Sequence, residues 1–115
     1  MNKRIKKMWL AALRGGKYEQ GQDSLKTSDG KFCCLGVLCD LYNKSVAGKK
    51  RKAKWVADFF ESSGDRQSNY LPKEVQKWAG IVGHNPIAGG KCLSHLNDAS
   101  EFGFKRIADK IEKHL

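Results

Sequence analysis

Four cysteines and three histidines carry the most distinctive side-chain chemistry in this chain. Cys33, Cys34 and Cys39 crowd one apolar segment, and Cys92-Leu93-Ser94-His95 adds a C-x-x-H pair. Thiolate and imidazole are zinc ligands, and a structural zinc site needs four of them converging on a tetrahedron. On a helix each residue turns by about 100°, which sets Cys34 and Cys39 roughly 140° apart and Cys33 and Cys39 about 120° apart. Neither pair converges on one ion. The expectation is therefore no metal and no cofactor, with the thiols buried as small apolar groups. Nucleophilic catalysis would need a thiolate with an oriented base, and Cys92 beside His95 or His84 is an arrangement that the spacing does not select. Asp40, Asp58, Asp98 and Glu101 are scattered and form no recognisable carboxylate pair. Gly83 to Lys91 is glycine-rich, but it lacks the hydroxyl residue that follows the lysine of a phosphate-binding P-loop. It reads as a turn-rich loop.

The second chemistry is charge. Lys and Arg number 22 against 12 Asp and Glu, a net charge of +10. Such an excess either keeps a small protein in solution or selects an acidic partner. Nucleic acid is the first candidate, an acidic protein surface the second and a small anion the third. Lys49-Lys50-Arg51-Lys52 followed by Lys54-Trp55 could set ammonium groups on phosphates and an indole on a base. The alternative is a solvated loop with Trp55 in the core. Lys3, Arg4, Lys6 and Lys7 make a second basic patch. No pair of helices is joined by the short turn of a helix-turn-helix.

The elements that must position these groups follow from apolar spacing. Ile5, Met8, Trp9, Ala12 and Leu13 repeat as one helical face, ended by Gly15-Gly16. Asp29-Gly30 is a hairpin-turn signal, with Leu25–Thr27 and Lys31–Cys33 as short flanking strands. Cys34, Leu35, Leu38, Leu41 and Tyr42 have helical spacing. Val37 and Cys39 add apolar character on other faces, which predicts a central helix buried nearly all round. Gly36 within it costs about 1 kcal/mol against Ala unless a neighbour packs closely. Lys44 to Lys54 reads as a basic loop, Lys54 to Phe60 as helix or strand, and Glu61 to Asn69 as an exposed loop. Pro72 opens a short helix with Val75, Trp78 and Ala79 inward, and Gly80 closes it. Ile81 to Lys91 reads as irregular, and Cys92 to Leu96 is too short to assign. Asp98 and Glu101 have capping-box spacing at a helix entry spanning 97–101. Phe104, Ile107, Ala108, Ile111 and Leu115 stripe the last helix.

The length of 115 residues fits one domain, 1–115, with a modest core. The expected fold is α+β, a small single domain dominated by amphipathic helices with a short hairpin or small sheet. No apolar run approaches the roughly 18 residues of a membrane span. The basic start lacks a full apolar region before Arg14, so no secretion signal is read. Clustered cysteines suit a reduced cytoplasm better than a disulfide framework.

Several stretches together resemble a family of small, largely uncharacterised bacteriophage proteins. They are Trp9 to Gly21, Phe32-Cys33-Cys34-Leu35-Gly36-Val37-Leu38-Cys39-Asp40-Leu41, Leu71-Pro72 with Trp78-Ala79-Gly80, Asn85-Pro86, Leu96-Asn97-Asp98, and Phe104 with Ile107-Ala108. The resemblance implies a phage accessory protein in the cytoplasm of an infected bacterium. Its partner would be a host or phage protein, or nucleic acid, and not a membrane. Within these stretches Tyr18, Gln20, Asn97 and Asp98 flank apolar segments and form a candidate polar site. The structural alternative is that Asn97 and Asp98 cap a helix while Tyr18 and Gln20 stabilise a turn. The basic segment 49–54 lies outside the matching stretches and takes no family role. Three functions stay open: a noncatalytic protein that binds a macromolecule, such as an anti-CRISPR or other inhibitor of a bacterial defence system; a nucleic-acid-binding module using 49–55; and a small enzyme whose site the motifs do not reveal.

Overall fold

A computed structural model describes residues 1–99 and 101–115, so Ser100 of the expected helix entry lies outside the described residues. The helices are α1 (Lys3–Arg14), α2 (Cys34–Lys44), α3 (Val46–Lys50), α4 (Lys73–Ala79), α5 (Leu93–Asp98) and α6 (Phe104–His114). The strands are β1 (Lys54–Val56), β2 (Phe59–Ser62), β3 (Asp65–Gln67), β4 (Ile87–Ala88) and β5 (Lys91–Cys92). The fold is α+β, helix-dominated, with two small antiparallel sheets of order β1-β2-β3 and β4-β5.

Helix α2 is the axis of the core. Every residue from Cys34 to Asp40 is buried. Helix α1 lies against it through Trp9, whose indole N–H donates to the Cys34 carbonyl at 3.0 Å. Helices α4 and α5 pack on α2, and α6 packs on α1. Each fully buried Leu or Ile of this core contributes about 1.5–3 kcal/mol. Gly36 is required by a close neighbour, since a Cβ there would lie 1.8 Å from the Leu25 carbonyl oxygen. The Asn2 side chain caps α1 by accepting from Ile5 N at 3.0 Å.

Several expectations are corrected. The segment 44–54 is not loop throughout: Ser45 caps α3 by accepting from Gly48 N at 3.1 Å, which sets Lys49 and Lys50 on a helical turn, and the loop is confined to 51–53. The segment 61–69 is not loop throughout. Ser63 and Gly64, both with positive φ, make the two-residue turn between β2 and β3. Apolar alternation failed to show these strands because Glu61 and Arg66 pair across them at 2.9 Å. Likewise Gly89-Gly90 turns β4 into β5 inside the segment read as irregular. Asp29-Gly30 does form a tight loop, with Thr27 N donating to Lys31 O at 2.8 Å, but the flanks make isolated bridges rather than strands. Finally, Asn97 and Asp98 end α5 instead of opening a helix, and Gly103 precedes α6.

Candidate functional site

Asp40 lies four residues before Lys44 on the inward side of α2 and is only 7% exposed. Its carboxylate accepts three bonds: from Tyr18 Oη at 2.6 Å, from Lys44 Nζ at 3.0 Å and from Trp55 Nε1 at 3.0 Å. Burial alone would lift its pKa. The bonds from Tyr18, Trp55 and Lys44 outweigh burial and hold it below the ordinary carboxylate value. Burial, then the neighbouring Asp40 carboxylate, pushes the Tyr18 phenol up. The bonds to Asp40 and Tyr18 push the Lys44 ammonium up. At neutral pH the three groups therefore keep their ordinary charge states. None is poised for proton transfer, which works best with a pKa near the working pH. The cluster is a clasp joining α2, β1 and the loop after α1.

Aromatic rings extend the clasp. Phe32 meets Tyr18 edge-on at 5.1 Å and Trp55 at 5.8 Å, and Trp55 meets Phe60 at 4.8 Å. The Lys26 ammonium sits 5.4 Å from the Trp55 ring centre. Trp55 is half-buried against the edge of the core rather than within it, with its N–H engaged by Asp40 and its ring packed on Phe32 and Phe60. Beside the clasp opens a cleft of ≈ 620 Å³. Ala11 and Ala12 of α1 with Gly15 just after it form one wall, Leu41 and Lys44 of α2 the other, and Tyr18 and Phe32 also line it.

The four polar candidates do not assemble into one site. Tyr18 belongs to the Asp40 clasp. Gln20 instead donates to Asn97 Oδ1 at 3.1 Å and to the Phe102 carbonyl at 2.9 Å. Asn97 is fully buried; its Oδ1 accepts from Cys34 N at 3.1 Å and its Nδ2 donates to the Gly21 carbonyl at 2.8 Å. It therefore caps the start of α2 from a distant part of the chain. Asp98 accepts from Asp23 N at 3.2 Å. These bonds are structural in kind, but they are not the local cap and turn expected: Asn97 caps α2 across the chain, Asp98 holds the backbone at Asp23, and Gln20 ties Asn97 to the Phe102 carbonyl.

The basic candidates divide. Lys3, Arg4 and Lys7 are exposed on α1, whereas Lys6 turns toward α6 and donates to the Glu112 carbonyl at 3.0 Å. Arg51 reaches Glu74 at 3.8 Å. Lys49, Lys50, Lys52 and Lys54 are exposed, and among the described residues none of these four forms an ion pair. They stand on an ordered base: a Cβ on Gly48 would lie 2.0 Å from the Tyr42 carbonyl oxygen, so α3 is packed directly onto the end of α2.

Cys33, Cys34 and Cys39 are buried free thiols. Burial pushes Cys33 up to about 11 and raises Cys34 and Cys39 as well. Cys92 is half-buried, and the backbone N–H of His95 is the main influence drawing its thiol below the ordinary value. Among the described residues no three His, Cys, Asp or Glu side chains are grouped to hold a metal ion. The Asp40 clasp was missed in the sequence, where Asp40 counted only as a scattered acid. Its signal was a single carboxylate inside an otherwise apolar helix, followed four residues later by Lys44.

A family model described as a domain of unknown function (DUF8296) matches residues 1–115. No curated protein and no solved structure matches the chain. Among the described residues no helix is long and apolar enough to cross a membrane.

Proposed function

We propose a binding role for this chain, which belongs to the DUF8296 family. In this reading it is a noncatalytic bacteriophage accessory protein. It acts in the cytoplasm of the infected bacterium by binding an acidic macromolecule of host or phage, such as a component of a defence system. The observation that carries the reading is the cationic platform of Lys49, Lys50, Lys52 and Lys54. Four exposed ammonium groups fall within six positions: Lys49 and Lys50 end α3, Lys52 sits in the turn that follows at a φ of 56°, and Lys54 opens β1. Holding like charges this close is unfavourable without an anion to face them, and an anionic surface supplies it. The titratable groups of the Asp40 clasp are consumed in mutual bonds, which supports a binding role over proton-transfer chemistry.

The same spacing favours a second reading, in which the partner is a nucleic-acid backbone. Phosphate binding by lysine releases counterions, so affinity falls with salt in proportion to the contacts made. Equilibrium binding to labelled single- and double-stranded DNA and RNA across a salt series separates the two. Binding that persists near physiological salt, with a log–log slope about 2 to 3 smaller in the Lys49→Gln/Lys50→Gln/Lys52→Gln variant, supports nucleic acid. Absent binding points to an acidic protein, to be captured from infected cells by the native chain and not by that variant. Robust turnover of a substrate by the purified protein would overturn the binding role.

A further inference from the structure

The cleft between α1 and α2 does not stand alone. On the far side of Lys17 and Tyr18 lies a groove of ≈ 660 Å³ between the end of α1 and the start of α6. Lys17 and Tyr18 belong to the walls of both concavities, which therefore meet there. Their chemistry differs. The cleft is walled by Ala11, Ala12, Gly15, Phe32 and Leu41, and its one buried charge, Asp40, is fully bonded. The groove holds Arg14, Lys17, Lys105 and Arg106 against one carboxylate, Glu19. Arg14 is occupied by Asp109 at 2.8 Å and Glu112 at 3.1 Å. Arg106 lies over the Phe102 ring, 4.3 Å from its centre, and donates to the Glu101 carbonyl at 2.9 Å. Its charge nonetheless remains, and with Lys17 and Lys105 it outweighs Glu19.

We infer that the cleft and groove together are a binding site for a small aromatic anion, its flat ring in the cleft and its anionic group among Lys17, Lys105 and Arg106. Three features argue for this occupant. The cleft has the size of small-molecule sites, about 300–1,000 Å³, with apolar walls and few polar groups. The small side chains of Ala11, Ala12 and Gly15 leave room for a ring beside Tyr18 and Phe32. Lys44 at the cleft is paired with Asp40 at 3.0 Å, so the larger excess of cation lies on the groove side, which selects a ligand charged at one end. Tyr18 and Phe32 are held in place by Asp40 and by each other, so little ordering is needed on binding. This site is separate from the platform at Lys49–Lys54, and its failure would leave the macromolecular reading standing.

The test uses two fluorescent probes with the same kind of ring system: anilinonaphthalene sulfonate, which is anionic, and phenylnaphthylamine, which is neutral. The full chain should bind the sulfonate saturably, and the neutral probe about tenfold more weakly or worse. Ala12→Trp should fill the cleft and abolish saturable binding. If that variant unfolds by circular dichroism, Ala11→Trp, at an exposed position on the same wall, serves instead. Lys17→Gln with Lys105→Gln should weaken the sulfonate about tenfold, as loss of charge-assisted contacts requires. Lys49→Gln/Lys50→Gln/Lys52→Gln should leave it unchanged. The inference is overturned by equal binding of the two probes, by sulfonate binding that survives both cleft fillers, by loss on neutralising the platform, or by no saturable binding.

Discussion

Replacing Asn97 with Ala separates a structural from a functional role for the polar residues that flank the apolar segments. The buried amide satisfies the first backbone N–H of α2, at Cys34, and the buried Gly21 carbonyl, and it receives one bond from Gln20. Gln20 keeps its bond to the Phe102 carbonyl when the amide is gone. The variant therefore orphans two buried backbone groups, each costing about 1–3 kcal/mol. A loss of about 3–4 kcal/mol is expected, a large part of the roughly 5–15 kcal/mol of a whole domain. Urea unfolding followed by tryptophan fluorescence measures it. Gln20→Ala should cost about 1 kcal/mol, since Gln20 is half-buried and the Phe102 carbonyl can turn to water. Asn97→Asp keeps the acceptor for Cys34 N but sets a second oxygen against the Gly21 carbonyl. Burial raises the folded pKa of that new carboxyl, so the variant should lose further stability as pH rises above about 4. An Asn97→Ala protein within about 1 kcal/mol of the native chain, yet unable to bind its partner, would refute the structural role.

Other outcomes follow from single side chains. Asp40 has a folded pKa below its unfolded value, so its stabilisation is present above about pH 4 and fades as pH falls through the lower folded value. Asp40→Asn should lose about 2 kcal/mol at neutral pH and flatten the acid limb of stability below about pH 4; an unchanged limb contradicts the clasp. Ser62 is 1% exposed, and its hydroxyl has no hydrogen-bond partner among the described residues. Ser62→Ala should accordingly be neutral or raise stability by up to about 1 kcal/mol, and a drop of that size in thermal unfolding would reveal an overlooked partner. Native protein treated briefly with iodoacetamide should carry one adduct, on Cys92, and four adducts only after denaturation; mass spectrometry that finds early modification of Cys33, Cys34 or Cys39 would contradict their burial.

The long helices were legible because their information is local. Ile5, Trp9 and Leu13, and Phe104, Ile107 and Ile111, repeat at the helical period, and the apolar residues from Cys34 to Tyr42 announced a helix buried nearly all round. The excess of positive charge and its concentration at 49–54 could also be counted directly. Short elements were not legible, because what holds them is not apolar periodicity. Helix α3 rests on the Ser45 cap and on Gly48 packing against Tyr42, and β3 rests on a Ser63-Gly64 turn and the Glu61–Arg66 pair. The Asp40 clasp and the Gln20–Asn97 bonds were decided by tertiary structure alone. Tyr18, Asp40 and Trp55 are far apart in sequence, and so are Gln20 and Asn97. A hydrogen bond across 77 positions leaves no local trace in the chain, because its strength depends on burial and direction that only the packed fold supplies. The sequence by itself determined the helical frame and the charge it carries. The fold decided that Asn97 would cap α2, that Trp55 would brace Asp40, and that a cationic groove would open beside an apolar cleft.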